Sequence, residues 1–170
     1  SEGVVHKPVK TGECLGCHDP HSSDQAGLLK NRQSTTCFGC HTELPEKFKY
    51  THAPYANGQC SSCHRPHQSP NDYLLVKEYT SLCLSCHSQA SVKQRHANFP
   101  EEIRNCASCH NPHGSDRPAL IRNVLHEPYA GGCKDCHAGK GVPVKIDTCL
   151  ECHPEVGEKM ASSHNHLVRY

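Results

Sequence analysis

The sequence is poor in what ordinarily fills a protein interior. Tryptophan is absent, methionine occurs once and phenylalanine three times in 170 residues. A chain of this length makes one domain or at most two small ones. With so few large apolar side chains it can bury little of its own surface to offset the entropy of folding. An excess of charge of one sign is missing too. Lysine and arginine number 18 against 17 acidic residues, a formal balance of +1, which offers no basic face to nucleic acid. No apolar run approaches the roughly 20 residues of a membrane span. The opening Ser1-Glu2-Gly3 has neither the charged nor the apolar stretch of a secretion signal, so the sequence reads as a mature product or an excised domain.

What is there instead is cysteine and histidine, 14 and 16 of them. Disordered segments are not built from these residues, and small domains short of core are usually stapled by disulfides or metals. The interior is therefore expected to be imported. Every cysteine falls in a Cys-x-x-Cys-His pentad: Cys14/Cys17/His18, Cys37/Cys40/His41, Cys60/Cys63/His64, Cys83/Cys86/His87, Cys106/Cys109/His110, Cys133/Cys136/His137 and Cys149/Cys152/His153. This pentad is the attachment signature of c-type haem. Two thiols add across the porphyrin vinyl groups, and the next imidazole becomes the proximal ligand of the iron. Zinc is the rival, because Cys-x-x-Cys pairs spaced like Cys17 and Cys37 suit a zinc ribbon. Seven pairs cannot be shared among four-cysteine sites without a remainder, and such sites give no reason for a histidine after every second cysteine. A thioredoxin-like motif calls for a single pair beside a βαβ unit.

The pentads lie in a repeat. Their first cysteines stand at 14, 37, 60, 83 and 106, evenly spaced, and then at 133 and 149. Alternate pentads differ, so the unit holds two of them and spans ~46 residues. After the first, third and fifth come Asp19-Pro20-His21, Arg65-Pro66-His67 and Asn111-Pro112-His113, each followed by a serine (Ser23, Ser69, Ser115) and then an aliphatic pair (Leu28-Leu29, Leu74-Leu75, Leu120-Ile121). Short lead-ins precede some pentads: His6-Lys7-Pro8, His52-Ala53-Pro54, His96 without the proline, and His126-Glu127-Pro128. Lead-in and tail histidines are thus His6, His21, His52, His67, His96, His113 and His126, equal in number to the proximal ones. With Met160 the only methionine, bis-His ligation throughout is the economical expectation, and it implies low potentials. The bland alternative is that these histidines are solvated surface residues. A tail histidine three residues beyond a proximal one should not reach the far side of the same iron, and the proline between them stiffens the link. Each tail is therefore expected to serve a different haem. His164 and His166 remain as solvated residues, as substitutes for one of these ligands, or as ligands offered to a neighbouring subunit.

These residues resemble the doubled-CXXCH multihaem cytochromes: the His-x-Pro lead-in, Cys-x-x-Cys-His-x-Pro-His, and the serine and aliphatic pair that follow. The likeness runs from residue 6 to about residue 121 and fades after Cys133, where His137 and His153 lack the Pro-His tail. Relatives of this kind include periplasmic carriers, outer-membrane conduits and extracellular filaments of metal-respiring microbes. The resemblance implies closely spaced bis-His haems and little regular secondary structure.

The expected fold is mostly irregular coil with a few short α-helices wrapped around a haem array, with essentially no β-sheet. Proline and glycine break helical periodicity almost everywhere. Short helices are expected at 43–50, 88–96 and 154–163. The aliphatic pairs and the tyrosines Tyr55, Tyr73 and Tyr129 are expected to pack on porphyrin faces and edges, with no relay role. One heptahaem domain is expected over 1–170, built from units at about 6–51, 52–95 and 96–125 plus a divergent unit at 126–170. The expected cofactor is haem c, seven per chain. An oxidised bis-His haem with ionised propionates carries about −1, so seven would take the formal charge from +1 to about −6. Expected partners are redox proteins or extracellular acceptors, with no nucleic acid and no transmembrane segment in this chain, in an extracytoplasmic setting. A reductase with one open haem, and a subunit of a polymeric cytochrome filament, are the alternatives to a soluble carrier.

Overall fold

The computed structural model describes residues 3–42, 48–97, 105–124, 126, 136 and 144–157. Chain contacts divide the molecule into two compact units, one of Ser1–Arg95 with Arg104–Val124 and one of His96–Ile103 with Leu125–Tyr170. Most of the chain is irregular, with short helices, 3₁₀ turns and two minimal sheets.

Side chains make almost no core. Among the described residues the one buried apolar side chain is Leu75, and the most deeply buried groups are the hydroxyls of Ser69 and Ser115. Burial of one leucine stabilises by about 1.5–3 kcal/mol, far below what ordering this chain costs. The architecture therefore depends on something held between its turns.

Two of the lead-ins are single helical turns with a defined start and stop. Helices α1 (Lys7–Lys10) and α3 (Ala53–Ala56) open on His6 and His52, with Pro8 and Pro54 in the first turn, where a missing N–H costs nothing. Both end on a glycine with positive φ, Gly12 at 77° and Gly58 at 67°. The amides of Gly12 and Glu13 return to the carbonyls of Val9 and Pro8, and those of Gly58 and Gln59 to Tyr55 and Pro54. This is the Schellman stop, and it delivers the chain directly into the odd pentads.

Odd and even pentads use different local structure. The first, third and fifth begin in 3₁₀ turns at Cys14–Gly16, Cys60–Ser62 and Cys106–Ser108. The second, fourth and seventh lie at the ends of helices α2 (Gln33–Phe38), α4 (Tyr79–Leu84) and α6 (Ile146–Leu150). Helix α5 (Gln89–Arg95) matches the helix expected at 88–96, and residues 154–157 begin the one expected at 154–163, whose remainder lies outside the described residues. The helix expected at 43–50 is not formed at its described end. Tyr50 there belongs to a strand, because the approach to His52 is recruited into pairing with the next repeat.

That pairing links successive repeats. Strand β1 (Val4–Val5) runs antiparallel to β3 (Gln68–Ser69), with Val4 opposite Ser69 and Val5 opposite Gln68. Strand β2 (Tyr50–Thr51) runs antiparallel to β4 (Gly114–Ser115) in the same register. The segment before each of these lead-ins thus covers the tail of the following repeat, and it seals Ser69 and Ser115 to 2% and 1% exposure.

Candidate haem-binding sites

Six of the seven pentads lie among the described residues, and all six close in the same way. The amide of the histidine donates to the carbonyl of the first cysteine: His18 to Cys14, His41 to Cys37, His64 to Cys60, His87 to Cys83, His110 to Cys106 and His153 to Cys149, at 2.9–3.0 Å. One helical turn puts residues three and four apart on one face, so both thiols and the imidazole present together. Of the sixth pentad, Cys136 is described, and Cys133 and His137 lie outside the described residues. None of the described cysteines is joined in a disulfide. Burial, with the Cys60 thiol beside it, pushes the Cys37 thiol up to about 11. Cys83 is pushed up to about 11 by burial and by Cys106. Attachment points of the second and third pentads therefore meet, as do those of the fourth and fifth.

Among the described cysteines, exposure differs between the two kinds of pentad. Cys40, Cys86 and Cys152, the second cysteines of the helix-end pentads, are exposed, whereas Cys17, Cys63 and Cys109 of the 3₁₀ pentads are half-buried. The cause is the loop that follows. The amides of Lys30, Val76 and Arg122 return to donate to the carbonyls of Cys17, Cys63 and Cys109, and the returning chain covers those cysteines. Cys40 and Cys86 make only the bond within their own turn, to the carbonyls of Cys37 and Cys83 at 3.2 Å. The Cys86 thiol lies 3.9 Å from the Ser85 hydroxyl and near the Cys63 thiol, whose pKa it helps to raise. Cys152 stands likewise in the turn that ends α6. Polypeptide therefore shields the second thiol of the 3₁₀ pentads and leaves that of the helix-end pentads open.

In the first, third and fifth pentads the proximal imidazole is also held from behind. His18, His64 and His110 place Nδ1 at 2.7, 2.8 and 2.8 Å from the carbonyls of Gly27, Tyr73 and Ala119. An Nδ1–H donated to a carbonyl leaves Nε2 as the lone-pair nitrogen that can bind a metal. The carbonyl is aimed by two consecutive residues of positive φ: Gly27 and Leu28, Tyr73 and Leu74, Ala119 and Leu120. The aliphatic pair then returns beside the pentad, bridging Leu29 to His18, Leu75 to His64 and Ile121 to His110. The serine hydroxyls Ser23, Ser69 and Ser115 donate to the carbonyls of Leu29, Leu75 and Ile121 and lock this loop. The repeated serine and aliphatic pair thus orient the proximal ligand.

Histidines then meet in opposed pairs. Ring centres lie 6.1 Å apart for His41 and His6, 5.8 Å for His18 and His67, 6.2 Å for His87 and His52 and 6.3 Å for His64 and His113. In the other unit, His153 and His126 are 5.8 Å apart with Nε2 facing Nε2 at 3.5 Å. Metal–imidazole distances of about 2.0 Å on both faces of an iron would separate the two nitrogens by about 4 Å and the ring centres by about 6 Å. Five proximal and five lead-in or tail histidines fit that requirement. Among the described residues no three His, Cys, Asp or Glu side chains converge on one point. The donor set is two opposed imidazoles with a pair of thiols to one side, which suits porphyrin iron and not tetrahedral zinc.

The pairing follows a rule. A lead-in histidine faces the second of the two pentads that follow it (His6 with His41, His52 with His87, His126 with His153), and a tail faces the first pentad of the preceding repeat (His67 with His18, His113 with His64). Backbone bonds fix the two together: the amide of His6 donates to the carbonyl of His67 at 2.9 Å, and that of His52 to His113 at 3.1 Å. His52 Nδ1 lies 2.9 Å from the Pro112 carbonyl, again leaving Nε2 forward. The Tyr55 ring packs 4.9 Å from that of His113. Burial, with His64 and His52 nearby, lowers the His113 pKa and keeps it in the neutral form that binds metal.

His21 stands with its side chain 93% exposed beside Asp19. His96 belongs to the unit that also contains Cys136. His164 and His166 lie outside the described residues, as does Tyr129. The carbonyls of Gly27, Tyr73 and Ala119 were not among the expected site groups. Gly27 alone hinted at them, as a residue suited to positive φ.

Residues 6–46, 52–92 and 96–142 each match the family model described as the doubled CXXCH motif, about three-quarters of the chain. No curated protein matches it.

Proposed function

The chain belongs to the doubled CXXCH motif family of multihaem c-type cytochromes, and on that premise we propose that it carries seven covalently attached haems with bis-His ligation and moves electrons among them. The observation that supports this most is the set of five opposed histidine pairs at 5.8–6.3 Å. Bound haem supplies a one-electron iron couple. The chain supplies everything else: thiols that fix position, imidazoles that set a low potential, and carbonyls behind Nδ1 that raise ligand basicity. Cys40, Cys86 and Cys152 are assigned as thioether positions with the other cysteines. Imidazole on both sides leaves no position for a substrate, so a carrier is favoured over a reductase.

His96 is assigned to the haem of Cys133 and Cys136, the second pentad of the doubled motif matched at residues 96–142. With the seven haems bound, formal charge falls to about −6. Partners then present basic surfaces, and their encounter slows as salt rises. Among the described residues no helix is long and apolar enough to cross a membrane. The family is typical of extracytoplasmic electron transfer, and the periplasm or the cell surface is where this chain is proposed to act.

Anaerobic reductive titration tests the function. The expected result is seven electron equivalents per chain, all haems low-spin in both states, and rapid reoxidation by a second redox protein. A high-spin haem that binds nitrite or hydroxylamine would instead indicate a reductase.

A further inference from the structure

Phenylalanine is scarce in this chain, and two of its three residues gather at one place. The rings of Phe38 and Phe48 meet Tyr55 edge to face, with centres 6.1 and 6.5 Å away and planes inclined at 62° and 63°. Aromatic rings attract in this arrangement, the positive edge of one against the negative face of the other. The Tyr55 ring lies 4.9 Å from the His113 imidazole, inclined at 37°. Phe48 also reaches the backbone beside that ligand. A Cβ on Gly114, directly after His113, would collide with the Phe48 ring.

The matching places in the repeat lack these rings. Val9 stands where Tyr55 does, Leu84 where Phe38 does and Gln68 where Gly114 does. Val9 is 41% exposed, and His67 is exposed where its counterpart His113 is half-buried. In other respects the two tails agree. Each faces the first pentad of the preceding repeat, and each accepts a lead-in amide at its carbonyl. The aromatic cluster is therefore an addition at one ligand and not a requirement of the repeat.

Packing of this kind limits rotation of an imidazole and fixes the plane in which it meets a metal. It also excludes water, and an apolar surrounding disfavours the charged member of a redox couple. Iron with two neutral imidazoles and a porphyrin dianion is +1 when ferric and neutral when ferrous, so exclusion of water favours the reduced form.

We propose that Tyr55, seated by Phe38 and Phe48, is a positioning residue for His113, and that this cluster raises the potential of the haem on Cys60 and Cys63 above that of the haem on Cys14 and Cys17. This rests on the haem reading above. Both haems take a proximal and a tail histidine held in the same way, so the difference lies in the surroundings. An electron passing between these two haems then runs downhill toward Cys60 and Cys63.

The test is anaerobic redox titration of the holoprotein, followed by low-temperature EPR, in wild type, Tyr55→Val, Tyr55→Phe and Phe38→Leu. Valine and leucine are the residues that the repeat itself carries at these places, so the fold tolerates them. His113→Met marks the step of the haem beside His64, and His67→Met that of the haem beside His18, because a thioether ligand moves its own haem upward. In wild type the His64 step is expected to lie above the His18 step. Tyr55→Val is expected to bring the first down toward the second and to shift the low-spin g values of that one haem. Phe38→Leu is expected to act in the same direction and less. Tyr55→Phe is expected to keep both the potential and the g values. A His64 step at or below the His18 step in wild type, or unmoved in Tyr55→Val, overturns the proposal. So does Tyr55→Phe that falls as far as Tyr55→Val, or a change shared equally by every haem. A chain that carries no haem would defeat the functional reading itself, and this inference with it.

Discussion

Residue by residue, the carbonyls behind the proximal histidines carry the clearest local cost. Tyr73 and Ala119 sit at φ 54° and 55°, where the first repeat has Gly27 at 69°. A side chain in this region costs about 1–2 kcal/mol, and the strain persists because it aims a carbonyl at an imidazole. An added Cβ at Gly27 meets nothing within 4 Å, so the conformational cost is isolated there. Gly27→Ala should destabilise the holoprotein by about 1 kcal/mol, read from denaturant unfolding. Ala119→Gly should change stability little or raise it by less than about 1 kcal/mol, since glycine's own entropy offsets part of the relief. His67→Met should raise the potential of the haem beside His18, while the haem beside His41 moves far less. Redox titration of the variant checks both. The residue types of this site were legible in the sequence: pentads, lead-ins and tails could all be named. Their partners were not, because the pairing is set by strand register between repeats that no local pattern encodes. Nor was the difference between Cys17 and Cys40, which depends on a loop returning over one pentad and not the other.

At the scale of single elements, the short helices depend on their ends, since isolated helices of this length are unstable in water. Gly12 and Gly58 provide the positive φ that stops α1 and α3, and Gly58→Ala would also press on the Ser34 side chain. Gly12→Ala should cost about 1 kcal/mol and Gly58→Ala more, with His6 or His52 displaced. Helix α4 is capped by Glu78, whose carboxylate accepts from the amides of Thr80 and Ser81 at 3.0 and 3.1 Å. Those amides lower its pKa. A carboxyl whose pKa is lower folded than unfolded adds stability above the unfolded value and loses it as pH falls through the folded one. The deficit of Glu78→Gln relative to wild type should therefore be present at neutral pH and close on the acid side, as unfolding at a series of pH values would show. Helix α5 was visible as an unbroken run free of proline and glycine, Gln89 to Arg95. The strand at Tyr50 was not, because two residues carry no periodicity and only the partner at Ser115 makes them a strand.

For the whole molecule, the scarcity of core side chains is the governing fact. One buried leucine and two buried serines among the described residues cannot hold turns of this kind in place, so the polypeptide without its prosthetic groups should have no cooperative unfolding transition. A chain made without haem attachment would show that by circular dichroism and calorimetry. The irregular fold was foreseeable from composition, since neither helix nor sheet periodicity was available to organise an interior. The central claim is that each of the seven pentads carries a haem closed by a second imidazole. The most direct measurement is intact mass under denaturing conditions, joined to near-infrared magnetic circular dichroism of the same native sample. Seven covalent haems per chain, all low-spin with two imidazole ligands, are the expected result. Fewer haems, or zinc at the cysteine pairs, would contradict it.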